Sequence, residues 1–482
     1  MSEANQKSCR MFGCFPVVGK KVAARSSVMR YFHDSPQRID FALFPTCCTW
    51  SVLMHKLLVP ALVVLFLPHS IVKAEDWLQW RGPGRANLSA ETGLYSQWGE
   101  DGPPLAWMAE GLGSGYASVT VAGDLAYTSG NFDDSQSALA IDTQTGKVVW
   151  KTAITEGAPK HGFEGSRTTP TIDGDRLYMV SSDGKIVCLN RESGDVLWSR
   201  DFSDWGGKMM SGWGFSESPL VDGDWVICTP GGKNGMVVAL DKTSGLDVWA
   251  AKLPDYGDED GVNGKGLRDG AGYASVVISN GAGVKQYIQL VGRGLIGVRA
   301  SDGKLLWRYD RVSNGTANIP TAIVDGDHVF TSTGYGTGSA YLKLVADSDG
   351  GVSAEEVYWL DGKQFQNKHG GMTLVDGYIY AGHGNGNGLP ICVNMKTGEI
   401  AWGPERAAGS GETSLIYADG RIIMRRQDGV VILLEATPEE YREISTFKPA
   451  YQKGKTWAHP TIANGYLYLR EQDKLMCYKL KG

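Results

Sequence analysis

The chain has 482 residues, of which 64 are glycine and 42% are hydrophobic, and its formal net charge is −6. A chain of this length can bury a large core, while the many glycines predict frequent turns, as in all-β proteins built from short strands. The acidic balance and the lack of a basic patch argue against nucleic acid as a partner.

The first 74 residues contain an export signal behind an extension. The segment MHKLLVPALVVLFLPHSIVKA (54–74) has a short basic start, an apolar run from Leu57 to Leu67 and a small-residue cleavage site ending at Ala74. This pattern predicts a signal peptide that begins at Met54. The run is shorter than the roughly 20 residues of a transmembrane helix. Because a signal peptide does not normally lie behind 53 other residues, we expect residues 1–53 to be a misassigned upstream extension. The alternative is a genuine cytoplasmic extension ahead of an anchor.

Export of this kind predicts a periplasmic or secreted protein with no stable membrane span after signal cleavage. No cysteine stands at the predicted cleavage point, which argues against a lipid anchor. The mature chain then comprises an N-terminal arm at residues 75–104 and one repeat domain at residues 105–482.

Two turn signals alternate through the repeat domain. The first is an Asp-Gly or Asn-Gly type turn between alternating apolar residues, a strong hairpin signal. The second is the stretch LAIDTQTGKVVW (139–150), which recurs in altered form at 187–198, 238–249, 297–307 and 391–402. The first signal marks eight units through its turn glycines, which are Gly123, Gly174, Gly223, Gly281, Gly326, Gly377, Gly420 and Gly465.

Each unit predicts four antiparallel strands, and eight such sheets arranged radially predict an all-β, eight-bladed β-propeller. A large flat side chain on the outer strand fills the wedge between neighbouring blades, where a turn glycine leaves room. The expected docking residues are Trp107, Trp150, Trp198, Trp249, Trp307, Trp359 and Trp402. Unit seven departs from the pattern, with Pro438 at the turn and Ile444 in place of tryptophan, and unit five has a longer connection up to Trp359.

The two ends of the repeat domain complement each other. The segment DKLMCYKLKG (473–482) ends the chain at a third strand, and PPLAWMAEG (103–111) carries Trp107 before any complete unit has begun. We expect this N-terminal strand to complete the last blade and to remove the free sheet edges. We expect the protein to be a monomer.

The loops at the end of the propeller opposite the glycine turns are long and mix His, Trp, Asn and acidic residues. Functional residues concentrate in such loops. Residues just before each first strand should point toward a central funnel. The candidate funnel-lining residues are Tyr116, Arg167, Trp213, Glu217, Tyr273, Asn318, His369, Glu412 and His459. They form either a ligand pocket or a set of polar groups that hydrogen-bond one another and channel water. No catalytic residue and no metal ligand set is assigned.

Three further features leave alternatives open. His369 and His459 are either metal ligands or ordinary hydrogen-bonding residues. Trp205 and Trp213 form either an aromatic platform or loop anchors, and carbohydrate binding through them and Trp457 is a third possibility for function. The acidic run Asp255–Asp260 fails the spacing of an EF-hand and is expected to be a solvated loop.

The pattern A-x-D-x-x-x-G-x-x-x-W is complete at Ala140, Asp142, Gly146 and Trp150 and again at 239–249. It resembles the tryptophan-docking motif of the pyrrolo-quinoline quinone (PQQ) propeller superfamily. The segments WLQWRGPGR and GFSESPLVDGDWVICTPGGKNGMVVALD are similar to exported bacterial repeat proteins of this superfamily. The resemblance covers essentially all of residues 77–482. It implies either of two functions, because the superfamily includes quinoprotein alcohol dehydrogenases and a cofactor-free outer-membrane assembly scaffold.

We expect the second of these, a binding or assembly scaffold without a bound cofactor whose partner is a protein, a small molecule or a glycan on the loop-rich face. The alternative is a PQQ- and calcium-dependent alcohol or polyol dehydrogenase, for which the resemblance implies calcium ligands such as Glu217 and Asn318. Family enzymes also carry an adjacent cysteine pair in the propeller, whereas Cys47 and Cys48 precede the signal peptide here.

Overall fold

Short apolar runs between glycine turns build a ring of sheets. The computed structural model describes residues 76–254 and 267–482. Within these residues 33 strands form eight sheets, and the helical elements there are three short 3-10 turns at Pro83–Arg85, Phe202–Trp205 and Gly281–Gly283. The predicted extension (1–53), the signal peptide (54–74) and the acidic run Asp255–Asp260 lie outside the described residues.

Two short strands precede four complete blades in chain order. They are β1 (Leu88–Ser89) in the N-terminal arm and β2 (Leu105–Ala109) at the start of the repeat domain. Blade 1 contains β3 (Thr120–Ala122), β4 (Leu125–Asn131), β5 (Gln136–Asp142) and β6 (Val148–Ala153). Blade 2 contains β7 (Thr171–Asp173), β8 (Arg176–Val180), β9 (Lys185–Asn190) and β10 (Val196–Asp201). Blade 3 contains β11 (Leu220–Asp222), β12 (Trp225–Cys228), β13 (Val237–Asp241) and β14 (Asp247–Ala251). Blade 4 contains β15 (Val277–Ser279), β16 (Gln286–Val291), β17 (Gly294–Arg299) and β18 (Leu305–Tyr309).

The second half of the ring repeats this arrangement. Blade 5 contains β19 (Ile323–Asp325), β20 (His328–Thr333), β21 (Gly338–Ala346) and β22 (Val352–Asp361). Blade 6 contains β23 (Met372–Val375), β24 (Tyr378–His383), β25 (Leu389–Asn394) and β26 (Ile400–Trp402). Blade 7 contains β27 (Thr413–Ala418), β28 (Arg421–Arg426), β29 (Val431–Glu435) and β30 (Glu443–Phe447). Blade 8 contains β31 (Thr461–Ala463), β32 (Tyr466–Glu471) and β33 (Lys474–Lys479).

The N-terminal strand β2 completes blade 8, which confirms the predicted eight-bladed propeller and its closure. β2 pairs antiparallel with β33, so that Trp107 lies opposite Cys477 and Met108 opposite Met476. The arm also adds a strand that the sequence did not predict, because β1 pairs in parallel with β27 and makes blade 7 five-stranded. Both ends of the domain are thereby held in paired sheets rather than left as free edges.

The position of a strand in its blade decides how much of it is buried. The third strand of blade 1, β5, has six consecutive buried residues, because neighbouring blades cover both of its faces. The outer strand β6 alternates between exposed and partly buried residues. The cores therefore lie between adjacent sheets, where apolar side chains of one blade pack against those of the next.

Outer-strand tryptophans join most neighbouring blades. The Trp150 indole N–H donates to the Arg191 carbonyl at 3.1 Å, and a Cβ atom at Gly194 would lie 2.7 Å from the Trp150 ring. The missing side chain of this turn glycine thus makes room for the ring. Equivalent indole-to-carbonyl bonds into the following blade are made by Trp107, Trp198, Trp249 and Trp402.

Trp307 and Trp359 depart from the expected docking role. In blade 1, for example, the β-bulge lies directly before the docking residue Trp150. In blade 5 the bulge lies at Val357, two residues before Trp359, so that Tyr358 is the residue directly after it. Tyr358 therefore takes the docking position, donating to the Met395 carbonyl at 2.6 Å, while Trp359 lies under Arg311. The Trp307 indole instead donates to Gln286 of its own blade at 2.7 Å, and a Cβ atom at Gly297, which lies opposite it, would be 2.2 Å from the indole nitrogen.

The N-terminal arm enters the central channel from the end where the turns lie. Trp77 pairs with Val121 of blade 1, and the chain returns through β1 to blade 7. Between these points Arg85 donates to the carbonyls of Ser218 (2.9 Å) and Val276 (3.0 Å), which precede the first strands of blades 3 and 4. The segment 77–89 therefore occupies the channel and tethers its inner strands to one another.

Candidate functional site

A cavity of about 400 Å³ opens at the loop-rich end of the channel. Its volume lies within the usual range of small-molecule sites. Seven of the nine predicted funnel residues line this cavity, namely Tyr116, Arg167, Trp213, Tyr273, His369, Glu412 and His459. The loops thus bring together residues that are as far apart in sequence as Tyr116 and His459.

Glu217 and Asn318 lie elsewhere, and their expected place in the funnel is corrected. The buried Glu217 carboxylate accepts hydrogen bonds from the backbone N–H (2.6 Å) and the hydroxyl (3.0 Å) of Thr229. Burial raises the pKa of Glu217 to about 7, against the opposing effect of Arg85. The Asn318 side chain accepts from the Asn314 N–H and donates to the Val291 carbonyl. Both side chains hold loops in place and do not reach the cavity.

The floor of the cavity comes from the N-terminal arm and the last blade. The Trp80 ring lies 5.5 Å from the His459 ring, and the Arg81 guanidinium lies 5.3 Å from the centre of the Trp80 ring. Burial, assisted by the positive charge of Arg81, lowers the pKa of His459 to about 3. Burial also lowers the pKa of His369 to about 4. Both imidazoles are therefore uncharged at neutral pH.

Aromatic side chains form two walls. In the first wall the Trp457 ring lies 4.8 Å from Tyr116 and 5.0 Å from Phe163, and its indole N–H donates to the Gln427 side chain at 2.8 Å. In the second wall Trp213 and Tyr273 lie 5.8 Å apart. These rings supply broad apolar surfaces on two sides of the cavity.

Positive charge outweighs negative charge in the lining. Arg167 donates to the Gly162 carbonyl at 2.9 Å and packs over Tyr116, and burial lowers the pKa of its guanidinium to about 10. Lys455 lies 4.6 Å from the centre of the Phe163 ring. Lys368 pairs with Glu412 at 3.1 Å. Burial raises the pKa of Glu412, the single carboxylate among the described lining residues.

These donors do not fit a calcium and quinone site. Calcium binds six to eight oxygen ligands in proteins. Glu412 is already paired with Lys368, the expected ligands Glu217 and Asn318 lie outside the cavity, and no group of three or more His, Cys, Asp or Glu suited to a metal occurs among residues 76–254 and 267–482. The cysteines of the described chain are free, buried and in separate blades, at Cys188, Cys228, Cys392 and Cys477.

Several lining residues escaped the sequence analysis because they do not precede a first strand. Tyr335 and Gln427 lie in loops between second and third strands, and Trp80 comes from the arm. Their signal was the aromatic and polar content of those loops. Trp205, considered as part of an aromatic platform, is buried between blades and donates to Asp247 instead.

Comparison with known proteins decides the family. A family described as "Outer membrane protein assembly factor BamB" matches residues 87–268 and 134–404. The chain belongs to this family. The match confirms the PQQ-like propeller superfamily to which the docking motif pointed. No helix within the described parts of the chain is both long and apolar enough to span a bilayer.

The chain is also similar to individual proteins. An outer membrane protein assembly factor BamB of Yersinia pestis is 23% identical over 349 residues, which is 69% of this chain and 67% of that protein. The counterpart in Alteromonas naphthalenivorans is 34% identical over 118 residues, 23% of this chain. A polyvinylalcohol dehydrogenase of Pseudomonas sp is 28% identical over 182 residues, 33% of this chain. This chain spans only 28% of the length of each of the last two proteins.

Two solved structures show the same fold. BamB from Moraxella catarrhalis has a TM-score of 0.54 at 15% identity, covering 78% of this chain and 99% of that one. Quinohemoprotein alcohol dehydrogenase from Comamonas testosteroni has a TM-score of 0.58 at 15% identity, covering 84% and 81% of the two chains. An assembly factor and an enzyme thus share this architecture, so function has to be argued from the site.

Proposed function

We propose that the protein is an exported, monomeric binding scaffold for outer-membrane protein assembly that works without a bound redox cofactor. Its family and several relatives are named as outer membrane protein assembly factors. The loop-rich end of the propeller receives the partner or ligand, because rigid blades present variable loops there. The periplasm is the compartment in which such a scaffold acts.

The proposal rests on the charged and aromatic side chains that line the cavity. Its lining holds three cationic side chains and several aromatic rings but one carboxylate, which Lys368 already neutralises. A quinoprotein dehydrogenase needs oxygen ligands for calcium and a free carboxylate as the base. The similarity to a polyvinylalcohol dehydrogenase covers 33% of this chain and favours the dehydrogenase alternative. The charged groups of the cavity are the stronger argument, and they oppose it.

A cofactor titration tests the proposal. The purified full chain is titrated with PQQ and calcium while absorbance and dye reduction are recorded with a panel of alcohols, and a quinoprotein alcohol dehydrogenase serves as the positive control. We expect neither binding at micromolar PQQ nor dye reduction. Tight binding with turnover would exclude the scaffold and establish the dehydrogenase.

Site-specific photocrosslinking tests the binding surface in the periplasm of the native host. A photoreactive residue replaces Phe163, which is 47% exposed at the cavity mouth, and a matched control replaces Val149, which is 54% exposed on the outer strand β6. We expect an adduct with an outer-membrane assembly component at position 163 alone. Equal adducts at both positions, or none at position 163, would contradict a partner site on the loop-rich face.

Export is tested on the same material. Mass spectrometry of the purified native protein is expected to find Glu75 as its first residue, because cleavage follows Ala74 in the predicted signal peptide. Any peptide from residues 1–53 would show that the upstream extension is translated.

A further inference from the structure

We propose that the cavity binds an acidic sugar residue, that is, a sugar ring that carries a carboxylate or a sulfate group. The inference rests on the proposed function, because it requires a cavity that receives a ligand rather than a quinone cofactor. It names the ligand class of that site, and it follows from three properties of the lining: unpaired positive charge, inclined aromatic walls and buried polar groups.

Two cations at the cavity have no carboxylate partner in the described chain. The Arg167 guanidinium donates to the backbone carbonyls of Gly162 and Phe163, and its buried Nε has no acceptor. The Lys455 ammonium lies over two rings, 4.6 Å from the centre of Phe163 and 5.2 Å from that of Trp457. A buried guanidinium nitrogen without an acceptor is unfavourable unless an anion accompanies it, and the exposed Lys455 adds a second positive charge to the same lining. The site therefore favours a negatively charged group, although the whole chain is acidic.

The remaining ionisable groups of the lining do not cancel this charge. Lys368 and Glu412 neutralise each other at 3.1 Å. His369 and His459 are uncharged at neutral pH because burial lowers the pKa of each. An incoming carboxylate or sulfate would meet Arg167 and Lys455 in charge-assisted hydrogen bonds, which are stronger than neutral ones.

The aromatic walls suit a sugar ring better than a flat polycyclic anion. The Arg167 guanidinium lies 5.3 Å from the centre of the Tyr116 ring in the first wall, and it lines the same cavity as Trp213 and Tyr273 of the second. The rings within these walls are inclined at 40° (Tyr116 and Trp457), 73° (Phe163 and Trp457) and 57° (Trp213 and Tyr273). A flat polycycle stacks best in a parallel slot, whereas the C–H faces of a puckered sugar pack on the negative face of a single inclined ring.

Polar groups of the wall are available to sugar hydroxyls. The Glu412 side chain is 5% exposed, and its carboxylate accepts hydrogen bonds. The Gln427 Oε1 is held by the Trp457 indole N–H, which leaves its amide N–H₂ as a donor. A sugar residue with one acid group can therefore place that acid at Arg167 and a hydroxyl at Glu412.

Calorimetry with matched sugars tests the inference on the full chain. Oligogalacturonates are compared with their methyl esters, and chondroitin sulfate oligosaccharides with unsulfated chondroitin, so that the two pairs distinguish carboxylate from sulfate. We expect at least one acidic sugar to bind about tenfold or more tightly than its matched partner, with affinity that falls as salt is raised.

Charge-removing variants locate the binding. Lys455→Met keeps the aliphatic stem and is expected to weaken acidic-sugar binding about tenfold, as is Arg167→Gln. The matched control is Lys151→Met, because Lys151 also lies over a phenylalanine ring, 4.1 Å from the centre of Phe132, but outside the cavity. Thermal unfolding of each variant checks that it is folded.

Three outcomes would overturn the inference. These are equal binding of the two partners in both matched pairs, no binding at millimolar sugar, and tighter binding of the flat anion benzene-1,3,5-tricarboxylate. If the PQQ titration is also negative, the scaffold stands and only the ligand class is wrong. PQQ binding with turnover would instead remove the proposed function itself.

Discussion

The two ends of the propeller use polar residues in opposite ways. At the turn end Asp241 is half-buried, and its carboxylate accepts from the hydroxyls of Thr243 and Ser244 and from their N–H groups at 3.0 and 2.8 Å; these hydrogen bonds lower its pKa to about 2. At the loop end His459 is buried, and burial lowers its pKa to about 3. The turn end thus satisfies its polar groups internally, whereas the loop end keeps uncharged or unpaired groups around a cavity.

This difference separates the residues that close the ring from those that form the site. Turn residues recur because every blade needs the same glycine, hydrogen-bonded Asx side chain and docking ring. Loop residues do not recur, because a single cavity at the axis receives one different loop from each blade. The repeat therefore specifies stability, and the exceptions to it specify binding.

Removing the ring that closes the propeller should have the largest effect. Trp107 lies opposite Cys477 in β33, and its indole N–H donates to the Thr143 carbonyl of blade 1 at 2.7 Å. Trp107→Ala is expected to lower the free energy of unfolding by about 3–5 kcal/mol, as for other large-to-small core changes. Urea denaturation measures this value. Leu105→Ala is the control on the same strand, since Leu105 is 42% exposed and its loss should cost no more than about 0.5 kcal/mol. Equal losses would show that β2 does not latch the ring.

Substitutions at two turn glycines measure the cost of backbone strain separately from the cost of displacing a docking ring. Gly146 has φ +72°, and an added Cβ would lie 2.7 Å from the Trp107 ring, whereas Gly123 has φ +60° and open space around it. Gly123→Ala should cost about 1–2 kcal/mol for the left-handed backbone alone. Gly146→Ala should cost about 1–3 kcal/mol more, because the ring is also displaced. Equal denaturation midpoints for the two variants would contradict glycine-assisted docking.

The ring could be predicted from sequence because its determinants are local. The alternation around Gly123 and the turn before Trp150 each act within about a dozen residues, which specifies strands, turns and blade number. The arm could not be predicted in the same way. Arg85 hydrogen-bonds the carbonyls of Ser218 and Val276, which lie 133 and 191 positions away, and no repeat marks these partners.

The candidate site was predictable where the same geometry recurs. A residue just before a first strand points to the axis, and this rule places Tyr116, His369 and His459 in the cavity. It fails for Glu217, whose side chain turns into the blade toward Thr229, because side chains alternate along extended chain. It also misses Tyr335, because the rule does not consider loops between second and third strands.

The buried imidazole of His459, at the loop end, should make the free energy of unfolding depend on pH. Its pKa is about 3 in the folded protein against 6.5 as the ordinary value, so the unfolded chain binds a proton first as the pH falls. The free energy of unfolding therefore decreases by about 1.4 kcal/mol per pH unit from about pH 6.5 down toward pH 3, and His459→Gln should remove that part of the slope. Urea denaturation at pH 7, 6, 5 and 4 measures it. An unchanged slope in the variant would place the acid sensitivity elsewhere.

The smallest expected effect comes from the turn end. Asp241→Ala removes the acceptor of the turn and should cost about 1 kcal/mol at pH 7, as for the loss of an Asx cap. Asp241→Asn is the matched control, because an asparagine already occurs at the equivalent turn of blade 2. There Asn190 accepts from the Glu192 and Ser193 N–H groups at 2.9 and 3.0 Å.

The stabilising contributions of Asp241 and His459 are lost at different pH values, so acid titration distinguishes the turn end from the loop end. The lowered pKa of Asp241 means that its contribution is present above about pH 4 and is lost as the pH falls through about 2. The His459 contribution is already declining at pH 6. Asp241→Ala should therefore lower stability equally at pH 7 and pH 5, while His459→Gln changes the difference between those two values. A pH-dependent loss from Asp241→Ala in this range would mean that the two ends are coupled.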